Sequence, residues 1–263
     1  MREKQSVYYM KDAMFAASDA LKAGNADGAG DAAIRALLKG WFADQSEPAV
    51  LLADSLAVPV MARNQTQLDA YASKAALYGG MCFVICSLCG RGAYERGLRG
   101  WCIAAAYIEG RELKAAMVYD PSHAELYHAV KDLGAYMNGK SLSVSRCQRV
   151  TDAYLSVDHG TLRTAREDAL HNLLSQVQEV RSGAAFSLEL CHLAAGRTDA
   201  AVGRSQSFIE AAAGRLIAQE AGAALLGFDG KPLPPISELG ERASFAAVSP
   251  GIANEMGGLL AAL

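Results

Sequence analysis

The spacing of apolar residues predicts two helices at the start of the chain. Between residues 6 and 23 the apolar positions recur every three or four residues: Val7, Met10, Met14, Ala17 and Leu21. Alanine and lysine, which favour helices, fill much of the intervening sequence, and the pair Gly24-Asn25 ends the pattern. The same spacing over residues 31–42 predicts a second helix.

The middle of the chain has the patterning of strands. A short buried strand is expected at residues 49–52, followed by a helical or irregular stretch at residues 64–78. Residues 81–88 are almost all apolar, as in a strand that is buried on both faces. Three further strands are predicted at residues 101–109, 113–119 and 125–130.

Strands and helices alternate in the C-terminal half. The strands are predicted at residues 153–158, 199–203, 223–228 and 245–248. The helices are predicted at residues 162–177, 184–195, 209–221 and 250–263. Together with the strand-rich middle, this alternation predicts a layered α/β or α+β architecture.

Length and charge narrow the classes of protein that the chain can belong to. A length of 263 residues suits one domain over residues 1–263, with halves at about 1–148 and 149–263. The net charge of -3 gives no reason to expect nucleic acid or an anionic membrane as a partner. No stretch approaches the roughly 18 to 20 unbroken apolar residues that span a bilayer, and the N-terminus lacks the pattern of a signal peptide. We therefore expect a cytoplasmic protein, in which disulfides are not the default for its six cysteines.

Three linked motifs carry a resemblance to a known family. The first, at residues 115–145, reads AAMVYDPSHAELYHAVKDLGAYMNGKSLSVS. The second and third are LCHLAAGRTDAAVG (190–203) and IEAAAGRLIAQEAGA (209–223). In sequence and spacing they resemble the inositol monophosphatase family from about residue 80 onwards, whereas the first 80 residues match loosely. The resemblance implies the layered α-β-α-β-α sandwich of the inositol monophosphatase and fructose-bisphosphatase type, and a homodimer.

The resemblance also implies a chemistry, which this sequence carries incompletely. Enzymes of the family hydrolyse small phosphate monoesters with Mg²⁺, whose charge neutralises the phosphate and activates a water. The family's D-P-L-D-G-T-T segment, which supplies two metal-binding aspartates, falls on residues 86–92. Cys86 and Cys89 stand at the two aspartate positions, and Arg91 stands where a threonine would orient the water.

The other ligand positions implied by the resemblance keep only part of their acids. Glu210 stands for the aspartate of the W-D motif, and Ala53 for a glutamate of the G-E-E segment, with Asp54 beside it. Asp31 matches an aspartate of the family's N-terminal V-T-x-x-D pattern. Mg²⁺ prefers hard oxygen ligands and thiolates are soft. We therefore expect the magnesium-dependent reaction to be lost or very weak, and no cofactor to be needed.

A metal-free anion site is the alternative use of the same segment. The run Gly90-Arg91-Gly92 keeps the form of a glycine-rich helix start, where N–H groups and a guanidinium can bind phosphate or carboxylate. With Glu210, these three residues form the predicted anion-binding set. The competing interpretation makes three arginines solvated surface charges: Arg91, Arg96 and Arg99.

The cysteines allow several interpretations. Cys82, Cys86 and Cys89 have the spacing of a radical S-adenosylmethionine iron–sulfur loop, but they fall in a predicted buried strand. There Cys82 and Cys86 would face one side of the sheet and Cys89 the other. The favoured interpretation is small apolar core residues. A zinc or copper site with a histidine is a second interpretation. Catalysis by Cys89 as a nucleophile, assisted by Arg91, is a third.

Three functional hypotheses follow. In the first, the chain is a non-phosphatase that binds a phosphorylated or carboxylated small molecule, or a protein, in the old cleft. In the second, it is a divergent but active metal-dependent phosphatase of an inositol phosphate, a sugar phosphate or a nucleotide 3′-phosphate. In the third, it is a regulatory pseudoenzyme that acts through its dimer surface. The replaced metal ligands disfavour the second hypothesis.

Overall fold

Layers of helix and sheet alternate through the protein. A computed structural model describes residues 2–45, 47–56, 60–65, 68–70, 80–235 and 242–263. Within these residues the strands form one sheet of nine and one sheet of five. The predicted strand at residues 49–52 and those between residues 81 and 130 are confirmed. Most of the stretch 64–78 lies outside the described residues, but Leu68–Ala70 within it forms a strand that pairs with Val60–Ala62, so the expected helical or irregular structure is wrong there.

The first sheet is built by the N-terminal half. Its strands are β1 (Ala49–Ala53), β2 (Val60–Ala62), β3 (Leu68–Ala70), β4 (Met81–Cys89), β5 (Cys102–Glu109), β6 (Glu112–Asp120), β7 (Glu125–Val130), β8 (Ala135–Met137) and β9 (Lys140–Ser141). They lie in the order β3-β2-β1-β4-β5-β6-β7-β8-β9. Neighbours are antiparallel except for β1 and β4, which are parallel, so the C-terminal ends of these two strands meet at one edge of the sheet.

The second sheet is built by the C-terminal half. Its strands are β10 (Tyr154–Val157), β11 (Glu179–Arg181), β12 (Ala200–Ser207), β13 (Ala224–Gly227) and β14 (Arg242–Val248). They lie in the order β11-β10-β12-β14-β13, with β10 parallel to both of its neighbours. Antiparallel β14 pairs with β12 and β13.

The helices form three layers around the two sheets. They are α1 (Arg2–Lys22), α2 (Ala29–Asp44), α3 (Arg91–Glu95), α4 (His159–Thr164), α5 (Glu167–Gln176), α6 (Phe186–Ala194), α7 (Phe208–Glu220) and α8 (Ala253–Leu260). None of the helices within the described residues is long and apolar enough to cross a membrane.

Apolar contacts define the order of the layers. Helices α1 and α2 cover one face of the first sheet, where Trp41 packs edge-on against Phe83. Helices α6 and α7 lie between the two sheets and contribute to the apolar cores on both sides. The outer face of the second sheet packs against α5 and α8 through residues such as Leu173 and Met256. This is the layered α-β-α-β-α sandwich that the resemblance implied.

The helix predicted over residues 162–177 is divided into α4 and α5. Asp158 caps α4 by accepting hydrogen bonds from the backbone N–H groups of Gly160 and Thr161, so this helix begins before residue 162. Ala165 and Arg166 then adopt extended backbone angles, with ψ of 155° and 135°, and separate the two helices. The closing helix also differs in extent, because a 3-10 turn at Pro250–Ile252 precedes α8.

Candidate functional site

A cleft of about 480 Å³ opens where elements of both halves end or begin. Cys89, the last residue of β4, contributes to its wall from the first sheet, and Gln206 contributes from β12. The beginnings of α6 and α7 add Phe186 and Glu210. The structure therefore brings two of the predicted site residues, Cys89 and Glu210, to one cavity.

A β-bulge sets the direction of Cys89. Along β4 the partner of Cys86 is Ala104 of β5, whereas the partner of Cys89 is Cys102, so three steps on β4 match two steps on β5. The extra residue reverses the alternation of the side chains. Cys86 and Cys89 therefore lie in the same apolar cluster beneath α6 and α7, and the prediction that they face opposite sides is wrong. Their sulfur atoms are in bonding contact, although a disulfide was not the default expectation.

Asp54 holds this bulge from the neighbouring strand. It follows β1, and its carboxylate accepts hydrogen bonds from the backbone N–H of Ser87 at 2.9 Å and of Leu88 at 3.3 Å. The hydroxyl of Ser87 donates to the same carboxylate at 3.0 Å. Buried N–H groups require such acceptors, so these contacts stabilise the bulge. Ala53, which the sequence predicts at the family's glutamate position, is a buried residue at the end of β1.

Glu210 is a half-buried acid in the first turn of α7. Burial raises the pKa of its carboxyl group, the nearby charge of Asp54 raises it further, and Arg242 opposes both effects. The backbone carbonyl of Glu210 accepts a hydrogen bond from the hydroxyl of Ser187, which joins α7 to α6. The side chain at the cleft is thus easier to protonate than an exposed glutamate.

Asp158 has a structural role at the cleft. Besides capping α4, its carboxylate accepts hydrogen bonds from the backbone N–H of Arg204 at 3.1 Å and from Nε2 of Gln206 at 2.7 Å. It therefore ties the end of β10 to the irregular segment of β12, where the pairing with β14 shifts register and Ser205 has a φ of 53°.

Three arginines line the cleft, and none of them was selected from the sequence. Arg163, in the last turn of α4, has no hydrogen-bond or ion-pair partner within the part of the chain that is described. The Cζ atom of Arg204 lies 5.0 Å from the ring centroid of Phe228, and its Nη2 donates to the carbonyl of Leu263 at 2.8 Å. The buried Nε of Arg204 has no partner among the described residues. Arg242 donates from Nε to the carbonyl of Ser205 at 2.7 Å. No motif marks these arginines, because only the packing of α4, β12 and β14 brings them together.

The predicted anion-binding segment 90–92 lies beside the cleft, and Arg91 extends in another direction. Arg91 Nη1 lies 3.4 Å from a carboxylate oxygen of Asp27 and 3.8 Å from one of Glu95, and Arg91 is not among the residues that line the cleft. Gly90 has a φ of 81°, and a Cβ there would lie 3.2 Å from the carbonyl oxygen of Gly100. Close backbone approach therefore requires glycine at this position.

Three further residues from the sequence analysis also lie away from the cleft wall: Arg96, Arg99 and Asp31. Arg96 donates to the carbonyl of Gly92 at 2.8 Å, and Arg99 lies 3.4 Å from Nε2 of His123. Asp31 is an exposed residue of α2, 3.9 Å from Arg35.

The donors near the cleft fit a magnesium cluster poorly. Mg²⁺ requires several hard oxygen ligands in octahedral geometry. Cys86 and Cys89, which the sequence motif predicts at the two aspartate positions, carry sulfur instead of oxygen, and the Asp54 carboxylate already accepts three hydrogen bonds. Among the acids predicted as metal ligands, Glu210 is the one that lines the cleft. Within the described residues, its carboxylate does not accept a comparable set of hydrogen bonds. Across the described ranges, no group of three or more His, Cys, Asp and Glu side chains is arranged to hold a metal ion.

Comparison with solved structures shows which class of protein this fold defines. The chain aligns over 99% of its length, and over 97% of the other chain, with an inositol monophosphatase from Anabaena at a TM-score of 0.80 and 21% identity. It aligns over 97% of its length, and 98% of the other chain, with the extragenic suppressor protein SuhB from Bartonella henselae at a TM-score of 0.78 and 19% identity. At these identities the structures establish the fold.

Sequence comparison then establishes the family. Residues 82–260, well over half of the chain, match the model of the inositol monophosphatase family, and the chain belongs to that family. It is 28% identical over 162 residues to Nus factor SuhB of Xylella fastidiosa, an alignment that covers 60% of this chain and 59% of the relative. It is 30% identical over 156 residues to an inositol-1-monophosphatase of Bacillus subtilis, with 58% of this chain and 59% of the relative covered. The chain thus matches about three-fifths of the length of these curated relatives.

Proposed function

We propose that this member of the family binds an anionic small molecule, phosphorylated or carboxylated, in the cleft without a magnesium cluster. The observation that carries the proposal is the set of three arginines on the cleft wall: Arg163, Arg204 and Arg242. Guanidinium groups match phosphate and carboxylate oxygens in geometry and charge. They would supply the positive charge that Mg²⁺ supplies in metal-dependent members of the family.

The state of the individual arginines supports this proposal. Arg163 has no partner within the described residues, and the buried Nε of Arg204 has none there either. Arg163 is exposed, so its guanidinium can bind a ligand without giving up a partner among the described residues. Glu210 opposes an anion least when it is protonated, and burial raises the pKa of its carboxyl group. We therefore expect binding to strengthen as the pH falls towards the pKa of Glu210.

Calorimetric titration with inorganic phosphate and inositol 1-phosphate tests the proposal. We expect binding in EDTA to be as tight as in Mg²⁺, and to weaken at high salt because exposed charges are screened. Arg163→Ala and Arg242→Ala should each weaken binding roughly 10- to 150-fold, since a charged hydrogen bond contributes about 1.5–3 kcal/mol. The matched control is Arg149→Ala, because Arg149 is exposed and pairs with Asp152 away from the cleft. Binding that requires Mg²⁺, or equal effects in all three variants, would refute the proposal.

A divergent magnesium-dependent phosphatase is the second candidate. Two observations favour it: Glu210 lies in the cleft close enough to Asp54 for their charges to interact, and a relative carries the name inositol-1-monophosphatase. Phosphate release would be measured from inositol 1-phosphate, fructose 1,6-bisphosphate and adenosine 3′,5′-bisphosphate, with and without Mg²⁺. We expect no turnover. Magnesium-dependent turnover that Glu210→Ala abolishes would establish this candidate over the first.

The family resemblance also supports a proposal about assembly. We propose that the chain acts in the cytoplasm as a homodimer. Light scattering on the purified protein is expected to give twice the chain mass of 27.7 kDa, and a single chain mass would refute the dimer.

A further inference from the structure

Cys89 in the wall of the cleft and Cys86 behind it are placed as a disulfide pair. The Cα atoms of Cys86 and Cys89 are 5.9 Å apart, which is within the range of disulfide-bonded residues. Their sulfur atoms are in bonding contact, and both residues are 1% exposed. Residues three apart on a regular strand point to opposite faces and cannot pair in this way. The bulge at Ser87 and Leu88 therefore makes the pairing possible.

The side chain that holds the bulge comes from a different strand. The bulge leaves the N–H groups of Ser87 and Leu88 in need of an acceptor, and the Asp54 carboxylate accepts from both. Asp54 is thus a positioning residue for the two sulfur atoms, which lie at the ends of the segment that it binds. The pairing geometry depends on a contact across 33 residues of sequence.

We propose that Cys86 and Cys89 form a reversible redox site, a dithiol that small peroxides oxidise to a disulfide and that dithiols reduce. This site is independent of the proposed anion binding, because neither its formation nor its test requires a ligand in the cleft. Both functions would share one cavity, since Cys89 belongs to its wall.

The position of the cleft sets the order of the chemical steps. Cys89 lines the cleft and Cys86 does not, so we assign the first step to Cys89. Because Cys89 is 1% exposed, a hydroperoxide reaches its sulfur only when the end of β4 opens locally. The Cys89 thiolate attacks one peroxide oxygen, the O–O bond breaks, and hydroxide leaves and is protonated to water, which gives a sulfenic acid. The Cys86 thiolate then attacks the Cys89 sulfur, the S–O bond breaks, and a second water is released. In total, two thiols are oxidised to one disulfide and one hydrogen peroxide is reduced to two waters.

Other nearby thiols are poor competitors for this reaction. Cys102 faces Cys89 across the β4–β5 pair, and Cys191 lies in the same apolar cluster. Neither of them lines the cleft, so a hydroperoxide that enters from the cleft meets Cys89 before it meets these two thiols. Cys147 lies outside this cluster and is partly exposed, which makes it a useful internal reference.

Differential alkylation followed by peptide mass spectrometry tests the proposal on the whole chain. The reduced wild-type protein is treated with hydrogen peroxide, and remaining thiols are alkylated before digestion. We expect a Cys86–Cys89 linked species that has lost two hydrogens and that returns to two thiols on treatment of the native protein with dithiothreitol. The proposal fails if both residues stay alkylatable under conditions that oxidise Cys147, if either pairs with another cysteine, or if the native disulfide resists dithiothreitol.

Variants separate the roles of the two cysteines and of Asp54. In Cys86→Ala the sulfenic acid should persist at Cys89 and be trapped by dimedone, whereas in Cys89→Ala the Cys86 thiol should stay unmodified. Asp54→Ala should slow disulfide formation roughly 10- to 100-fold while Cys147 reacts at an unchanged rate. Cys147→Ala is the matched control and should leave the pair unaffected. Circular dichroism identifies any variant that does not fold, and the wild-type experiment decides the question without variants.

Discussion

Replacing Gly214 with valine is expected to lower the free energy of unfolding by about 3 kcal/mol or more. Gly214 lies in α7 where that helix crosses α6, and a Cβ at this position would lie 2.8 Å from the carbonyl oxygen of Ser187 and 2.9 Å from Cβ of Leu190. The first of these atoms belongs to the backbone, so the two helices would have to separate. Because α6 and α7 form the layer between the two sheets, the separation would disturb the apolar cores on both sides.

A second glycine in a helix provides a control of opposite sign. Gly258 is exposed in α8, and a Cβ there would have no atom within 4 Å. Gly258→Ala should raise the free energy of unfolding by about 0.4–1 kcal/mol, because alanine restricts the unfolded chain and favours the helix. Urea unfolding monitored by circular dichroism measures both changes. Equal stability of Gly214→Val and wild type would show that α6 and α7 do not pack as closely as described.

Replacing Glu125 with glutamine is expected to lower the free energy of unfolding by about 2 kcal/mol at pH 7, and by much less near pH 2. Arg197 forms two hydrogen bonds with the Glu125 carboxylate, at 2.6 and 2.7 Å, and the hydroxyl of Tyr127 donates to it at 2.6 Å. The hydrogen bonds from Arg197 lower the pKa of Glu125 to about 2, with smaller contributions from Tyr127 and from the charges of Arg197 and His192, whereas burial acts in the opposite direction. The Arg197 side chain is 39% exposed, so solvent screening reduces the energy that the full shift would imply.

The sign of the pH dependence follows from the lowered pKa. A carboxyl group whose pKa is lower in the folded state stabilises the fold above its unfolded value of about 4.5. This stabilisation is lost as the pH falls from about 4.5 to about 2, and Glu125→Gln lacks it throughout. Urea unfolding at about pH 7 and at about pH 2 would measure the difference. The matched control is Asp168→Asn, because Asp168 also pairs with an arginine, Arg166, but both side chains are exposed and little change is expected.

The patterns that predicted the fold are local ones. Helical spacing predicted α1 and α2, because each buries one face against the first sheet and repeats its apolar residues accordingly. The apolar run at residues 81–88 predicted β4, which is buried on both faces as expected. The division between α4 and α5 at Ala165 and Arg166 was not predicted. The early start of α4 was not predicted either, because it depends on Asp158, whose carboxylate also binds residues of β12.

The composition of the cleft shows where such patterns stop being informative. Cys89 and Glu210 were selected because they occupy positions of a recognisable motif, and the structure places both in the cleft. Arg91 was selected by the same argument, yet its side chain extends towards Asp27 and Glu95. The arginines that do line the cleft stand in no motif, since their approach results from the packing of elements that are distant in sequence.

The sequence by itself determined most of the helices and strands and the resemblance to the family, because periodicity and motifs are written in neighbouring residues. It also predicts that cysteines replace aspartates at two metal positions. Only the tertiary structure decided which side chains meet. The bulge that aligns Cys86 with Cys89 requires the carboxylate of Asp54, and the arginine-lined cleft requires both sheets to end at one place. Contacts of this kind join residues far apart in the chain, and they form only when the layers pack and bury the apolar faces between them.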